Sequence, residues 1–317
     1  MREPRLQNNH PRRRKSAPSA ALLSWVGRNK LEVKSLEVPV TQHCNLRCAA
    51  CDHGSPLLGK SFLDLDQFAH DLTVLKWAMR TDEFRLVGGE PLQHPQLLSV
   101  IEVIRRSAIA KQIVLVTNGT LLHKADQALW RVIDRLWLSI YPGVSLSLSL
   151  QEIEDLCHEY NVRFDPRTTN NFRTVLMNNP IDDIDLVRSN YHECKTAHVW
   201  KCYTVLNGYF FKCSKSSVMR ERLVRLGILH ENSPVDGVDL RSRWRLKSRL
   251  EAYLESQEPL ASCRACLGTS GPLIPHRQLN ARALRAESEE NHTPLIKHLS
   301  EQLREERRLL ETAHRTV

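Results

Sequence analysis

No stretch of this chain comes near twenty consecutive apolar residues, which excludes a membrane-spanning helix. The N-terminus lacks the apolar segment of a secretory signal, so the expected location is the cytoplasm. Extreme composition is missing too. Of 317 residues, 41% are hydrophobic and 26% charged, enough apolar surface for a buried core, and wholesale disorder is excluded. Against these absences stand nine cysteines. A reducing compartment disfavours a disulfide framework, so the thiols point to metal ligation or catalysis.

The net charge of +9 is unevenly spread. Residues 1–18 carry Arg2, Arg5, Arg12, Arg13, Arg14 and Lys15 against Glu3 alone, together with Pro4, Pro11 and Pro18. Such a segment suits contact with nucleic acid or an acidic partner, or simply a solvated, disordered arm. No aromatic or periodic pattern accompanies the charge, which favours the arm over residues 1–30, and nucleic acid is not the expected partner.

From residue 31 strand-like and helix-like segments alternate. Leu36 to Pro39 is a short apolar run ending before the first cysteines. Asp64 with Gln67 reads as a capping box, followed by Phe68, Leu72, Leu75 and Met79 at helical spacing. Strands are expected at Phe84 to Val87, Ile113 to Val116, Leu136 to Ile140 and Val162 to Phe164, with helices between them. These strands read as too short and too apolar to alternate, which argues a parallel α/β sheet covered by helices. The character changes near residue 190. Five cysteines fall between Cys194 and Cys266, and Asn207-Gly208 between two β-rich runs is a strong hairpin signal. Residues 191–275 are therefore expected to form a small module around a metal site. Residues 276–317 read as a polar linker and an amphipathic helix that starts at Thr293-Pro294 and lines up Leu295, Leu299, Leu303 and Leu310, packed on its own domain or docking a partner.

Cys44, Cys48 and Cys51 place three thiols within eight residues. Three cysteines at this spacing supply three of the four ligands of a [4Fe–4S] cluster and leave one iron free. A zinc site is the alternative on spacing alone. With Gly88-Gly89-Glu90-Pro91 after the next strand, the sequence resembles the radical S-adenosylmethionine (SAM) enzymes. The resemblance implies a partial (β/α)6-type parallel barrel over residues 31–190. It also implies that SAM chelates the free iron and is cleaved reductively, giving a 5′-deoxyadenosyl radical that abstracts a substrate hydrogen. Gly88 and Gly89 would let backbone approach a ligand, and Glu90 would accept hydrogen bonds from the methionyl ammonium. Asn118 and Gly119 fall where the family lines its SAM pocket, and Ser139 and Tyr141 would reach the ribose or the carboxylate.

Cys194, Cys202, Cys213, Cys263 and Cys266 look like the SPASM/twitch extension of that family, in its shorter form with one auxiliary [4Fe–4S] cluster. Cys213, Cys263 and Cys266 are expected ligands, and Cys194 and Cys202 dispute the fourth place; zinc is again the alternative. Cys157, on a helical face with Ile153 and Tyr160, reads either as a hydrogen-atom donor or as a small buried hydrophobe, the second being the plainer. His43 and His53 flank the first cysteine loop; backbone partners are expected for His53 in preference to SAM or substrate.

The resemblance leaves the reaction open. The residues before Leu36 are basic and proline-rich, with no leader-binding domain expected, which tilts the substrate toward a small polar molecule such as a carbohydrate or aminocyclitol, oxidised at a hydroxyl-bearing carbon. A ribosomal-peptide maturase forming a crosslink or epimer is the second reading, and a non-enzymatic zinc or iron–sulfur binding protein the third. Either enzyme would take electrons from a flavodoxin- or ferredoxin-type donor.

Overall fold

The computed structural model describes residues 30–230 and 236–315; the tail expected at residues 1–30 falls, Lys30 aside, outside the described residues. Residues Leu31–Val317 group as one compact unit. Five parallel strands, β1 (Leu31–Thr41), β2 (Met79–Gly88), β3 (Ala110–Thr117), β4 (Arg135–Ile140) and β5 (Arg163–Thr168), lie side by side in chain order. Helices α1 (Leu65–Leu75), α2 (Leu97–Ser107), α3 (Gln127–Val132) and α4 (Leu150–Glu159) connect them. A short β6 (Asn171–Arg173) leaves the sheet to pair elsewhere. Then α5 (Ile184–His192) and the single-turn α6 (Lys195–His198) lead to the hairpin β7 (Tyr203–Leu206) and β8 (Tyr209–Phe211).

The hairpin does not stand apart. β7 pairs in parallel with β1, and β8 continues antiparallel to β9 (Val238–Asp239), giving one mostly parallel eight-stranded sheet, an open, partial barrel with β5 and β9 at its edges. Asn207 and Gly208 both take positive φ, 49° and 83°, as a two-residue turn of this hand requires. Asp71 of α1 accepts a hydrogen bond from the Gly208 amide at 2.9 Å and so ties the turn to the barrel. The expected capping box at α1 is half formed. Asp64 accepts from the amides of Asp66 and Gln67, but the Gln67 side chain donates to Asp71 instead of reaching back. The full box is at Ser149 and Glu152, heading α4.

β2 and β4 alternate, contrary to the sequence reading, whereas β3 keeps the continuous buried run Ile113 to Leu115. Phe84, Leu86, Leu136 and Leu138 are fully buried against the helices, each stabilising the fold by roughly 1.5–3 kcal/mol. Their neighbours Glu83, Arg85, Arg135, Trp137, Asp165 and Arg167 lie on the opposite face of the pleat. There Arg85 pairs with Glu83 (2.8 Å) and Glu37 (3.4 Å), Arg135 with Glu83 (2.7 Å) and Asp165, and Arg167 with Asp165 (2.8 Å). Trp137 sits between the guanidiniums of Arg85 and Arg167. The inner face is thus a ladder of alternating charge, not a second apolar core.

The remaining elements are α7 (Arg220–Arg225), α8 (Leu246–Glu255), β10 (Leu273–Pro275, paired with β6), α9 (Ala281–Ser288) and α10 (Thr293–Arg315). In α10, Leu295, Leu299 and Leu303 pack with Met177, Ile181, Leu186 and Val187, so this helix closes its own domain; Leu310, two turns further on, is 62% exposed. Residues 276–279 are not a linker. They form a bridge with the first cysteine loop, with amide–carbonyl bonds from Ala49 to Arg277 and from Leu279 to Arg47.

Candidate active site and second cysteine cavity

β1 ends at Thr41 and delivers the loop that carries Cys44, Cys48 and Cys51 to the carboxyl end of the sheet, where α/β folds assemble their sites. The three thiols line a cavity of about 290 Å³ together with Gly88, Gly89, Asn118, Ser139 and Tyr141. The glycines also have a reason within the fold. A Cβ on Gly89 would lie 1.8 Å from the His43 carbonyl oxygen, and one on Gly88 2.2 Å from that of Thr41. What approaches closely is the cysteine loop itself, and the Gly89 and Glu90 amides donate to those same two carbonyls.

Glu90 and Pro91 stand behind the cavity wall. Glu90 is fully buried, and its carboxylate accepts from the Thr117 hydroxyl (2.6 Å), the Asn118 amide (2.9 Å) and the Leu92 amide (3.1 Å). Burial raises its pKa while these bonds lower it. It couples the end of β2 to the end of β3 and so orients Asn118, whose side chain approaches the Cys44 sulfur at 3.7 Å and Asn45 at 3.0 Å. Pro91 opens a single 3-10 turn capped by Glu90. Gly119, at φ 74°, packs between Leu138 and Leu146.

Two residues that sequence reasoning missed touch Cys48. Gln278 Nε2 lies 3.1 Å and His276 Nε2 3.3 Å from its sulfur. His276 Nδ1 is 3.2 Å from the Pro142 carbonyl, which only accepts, so Nδ1 carries the proton and Nε2 is left as an acceptor facing the thiol. The ring stacks on Tyr141 at 4.8 Å. No spacing flags His276 and Gln278, since they lie 228 and 230 positions beyond Cys48. His43 bonds the Thr41 hydroxyl at 2.7 Å, whereas His53 lines the cavity and, among the described residues, has no backbone hydrogen-bond partner, contrary to expectation.

The opposite wall holds Glu37, Arg85, Trp137, Cys202 and Lys215. Glu37 and Arg85 interrupt apolar strand segments, a signal the sequence carried. Burial raises the Glu37 pKa against the pull of Arg85. Lys215 reaches Asp52, next to Cys51, at 3.2 Å. Burial disfavours its cation, but Asp52, Cys213 and Cys266 outweigh that and leave its pKa above the usual lysine range.

The second group of cysteines divides between two cavities. Cys194, Cys213, Cys263 and Cys266 line one small cavity of about 30 Å³, while Cys202 faces the first cavity. The Gly268 amide donates to the Cys266 sulfur at 3.3 Å. Asn190 lines the same small cavity, and its Nδ2 is buried without a partner, a donor suited to a sulfide. Lys215 borders both cavities. Cys157 is buried in the main core beside Ile153, as its plainer reading has it.

Both thiol sets fit iron–sulfur clusters by donor chemistry. Among the described residues no three His, Cys, Asp or Glu side chains gather as ligands of one metal ion; a cluster asks each thiol to reach a separate iron. Burial pushes the Cys44 thiol up to about 11 and Cys51 and Cys266 up to about 12, so these groups are protonated until a metal displaces the proton. Among the described residues no helix is long and apolar enough to cross a membrane.

Residues 38–178 match the family model described as the radical SAM superfamily. Among curated proteins the chain is similar to a GTP 3′,8-cyclase from Mannheimia succiniciproducens, 33% identical over 115 residues (33% of this chain and 34% of that protein). A GTP 3′,8-cyclase from Pasteurella multocida is 37% identical over 100 residues (30% and 29%). The chain thus spans about a third of the length of the curated relatives it matches. Among solved structures it is similar to BtrN in complex with AdoMet and 2-DOIA, at 16% identity and a TM-score of 0.41, over 72% of this chain and 97% of that one.

Proposed function

We propose, from the premise that residues 38–178 are a radical SAM domain, that this enzyme removes a hydrogen atom from a hydroxyl-bearing carbon of a small polar substrate and passes the remaining electron to a second, protein-saturated cluster. A radical SAM domain works with a [4Fe–4S] cluster and SAM, which when bound supply the 5′-deoxyadenosyl radical that takes the hydrogen. Cys44, Cys48 and Cys51 would hold that cluster. Asn118, Ser139 and the backbone at Gly88 and Gly89 line the space for SAM. Glu90 is a positioning residue in this account, since its oxygens are engaged within the chain.

The observation that carries the proposal is the division of the thiols. Cys194, Cys213, Cys263 and Cys266 surround a cavity with no room for substrate, and four thiols leave no iron open to bind one. A cluster held by these four thiols would supply a place to store an electron. The first cavity offers the substrate charged and hydrogen-bonding walls: Glu37, Arg85, Asp52, Lys215 and Ser139. Glu37 would receive the hydroxyl proton. With the hydrogen atom, the proton and one electron removed, the carbinol becomes a ketone and the balance closes.

The test is anaerobic reconstitution followed by incubation with SAM, dithionite and a panel of polyols and aminocyclitols. The expected result is about eight irons per chain and 5′-deoxyadenosine formed in step with a ketone product. Ketone-free 5′-deoxyadenosine formation stimulated only by peptides would replace the substrate assignment, and four irons per chain would remove the auxiliary cluster.

A further inference from the structure

On the outer side of the cysteine loop lies a second, larger groove of about 710 Å³. Its walls carry Arg47 from the loop itself, Arg222 and Arg225 from α7, and Arg285 from α9, around the apolar side chain of Leu57. Among the described residues, Glu221 is the one carboxylate in the lining. Arg285 pairs with Glu289 along its own helix. Among the described residues, Arg47, Arg222 and Arg225 have no carboxylate within ion-pairing distance. Arg222 donates one nitrogen to Asn178 at 2.9 Å, and its Nη1 is buried without a hydrogen-bond partner. Arginines left unpaired around an apolar centre are the make-up of a surface that meets an acidic partner.

The groove also lies close to both thiol sets. Its floor includes Gly54, whose amide donates to the Cys51 carbonyl at 2.8 Å. Arg222 lines an adjoining cavity that Cys51 also lines, and Cys266 and, beyond ion-pairing distance, Glu287 are among the groups that act on it. Gly54 lines both this groove and the cavity that Cys51 lines.

We propose that this groove docks an acidic one-electron donor protein of the flavodoxin or ferredoxin class, which delivers its electron across the Cys51–Leu57 loop. The assignment rests on the reading that Cys44, Cys48 and Cys51 hold a redox centre. In the step itself the reduced donor loses one electron and the cluster gains it; no bond forms or breaks.

The experiment uses the reconstituted full chain and the double variant Arg225→Glu/Arg285→Glu, both positions being exposed on helices. The control is Arg163→Glu/Arg188→Glu, which changes net charge equally on exposed positions away from the groove. Two readouts are taken across a salt series: affinity for oxidised flavodoxin by fluorescence anisotropy, and 5′-deoxyadenosine formation driven by reduced flavodoxin or by dithionite. At low salt the groove variant should lose roughly tenfold in both flavodoxin affinity and flavodoxin-driven rate, with the difference fading as salt rises. Its dithionite-driven rate and thermal midpoint should match the parent, and the control should bind like the parent. Unchanged affinity, an equal loss in the control, or a groove that binds a single-stranded RNA and ignores flavodoxin would each overturn the proposal. No SAM cleavage with dithionite in the parent protein would defeat the functional reading instead, while the anisotropy measurement would still report whether flavodoxin docks.

Discussion

The first three cysteines are neighbours in sequence, yet they depend on distant chain for their surroundings; the second four are scattered over 73 positions, yet they close on a cavity that admits little else. Cys48 receives its partners from His276 and Gln278, and its loop is clamped by Gly89 and Glu90. The second group of thiols is gathered by α5, the hairpin end and the Cys263–Cys266 turn, with Asn190 and Lys215 completing the wall. One site borders about 290 Å³ of space and the other about 30 Å³. An open centre can meet reactants and be tuned by them. A closed one is set by the protein alone, which suits holding charge over transforming a substrate.

The sharpest way to break this comparison is to remove the open centre. Cys44→Ala, Cys48→Ala or Cys51→Ala should abolish 5′-deoxyadenosine formation, with iron falling from about eight to about four per chain and the circular dichroism spectrum unchanged. Undiminished SAM cleavage in the triple variant would refute the assignment.

Gly89→Ala should come next in size. A methyl group 1.8 Å from the His43 carbonyl forces the GGEP turn and the cysteine loop apart, a cost of more than about 4 kcal/mol. Urea unfolding checks it; a loss below about 1 kcal/mol would mean the two segments separate freely. Cys194→Ala against Cys202→Ala then separates the two cavities. The first should lose about four irons and the second none, while Cys202→Ala alters substrate affinity in the first cavity. Iron loss on changing Cys202 would exchange their roles.

The smallest effect belongs to the charge ladder. The hydrogen bond from Arg167, with Arg135 behind it, holds the Asp165 pKa below the ordinary carboxylate value despite partial burial. A carboxyl group with a depressed folded-state pKa contributes stability above its unfolded pKa and loses it as pH falls through the lowered value. Asp165→Asn should therefore cost about 1–3 kcal/mol near neutrality, and the gap to the parent should shrink below about pH 4. A pH-independent gap in denaturant melts would show that packing, not charge, is what the substitution removes.

Much of the open site was legible because its signals are local: a CxxxCxxC loop after one strand and a GGEP turn after the next. The βα order was equally readable, since Leu36, Phe84, Leu115 and Leu136 mark the buried strands directly. What the sequence hid was which face each polar strand residue takes. Glu37, Arg85 and Asp165 look like interruptions in apolar runs until the barrel's curvature brings them together. His276 and Gln278 were hidden by their separation from Cys48 along the chain. Cys194 and Cys202 lie eight positions apart, and only the path of α6 into β7 sends one thiol to each cavity.

The charge ladder has a consequence for how the chain can change over generations. Its rungs are three acids, Glu37, Glu83 and Asp165, and three arginines, Arg85, Arg135 and Arg167, linked end to end. Losing one rung strands its neighbour's charge on the partly hydrated inner face, at a cost of about 1–3 kcal/mol, a sizeable share of the roughly 5–15 kcal/mol margin of a typical domain. Exchange of an acid–base pair together leaves the sum neutral. Lineages descending from this chain should thus replace these positions in matched couples, leaving joint substitutions where most sites show independent ones.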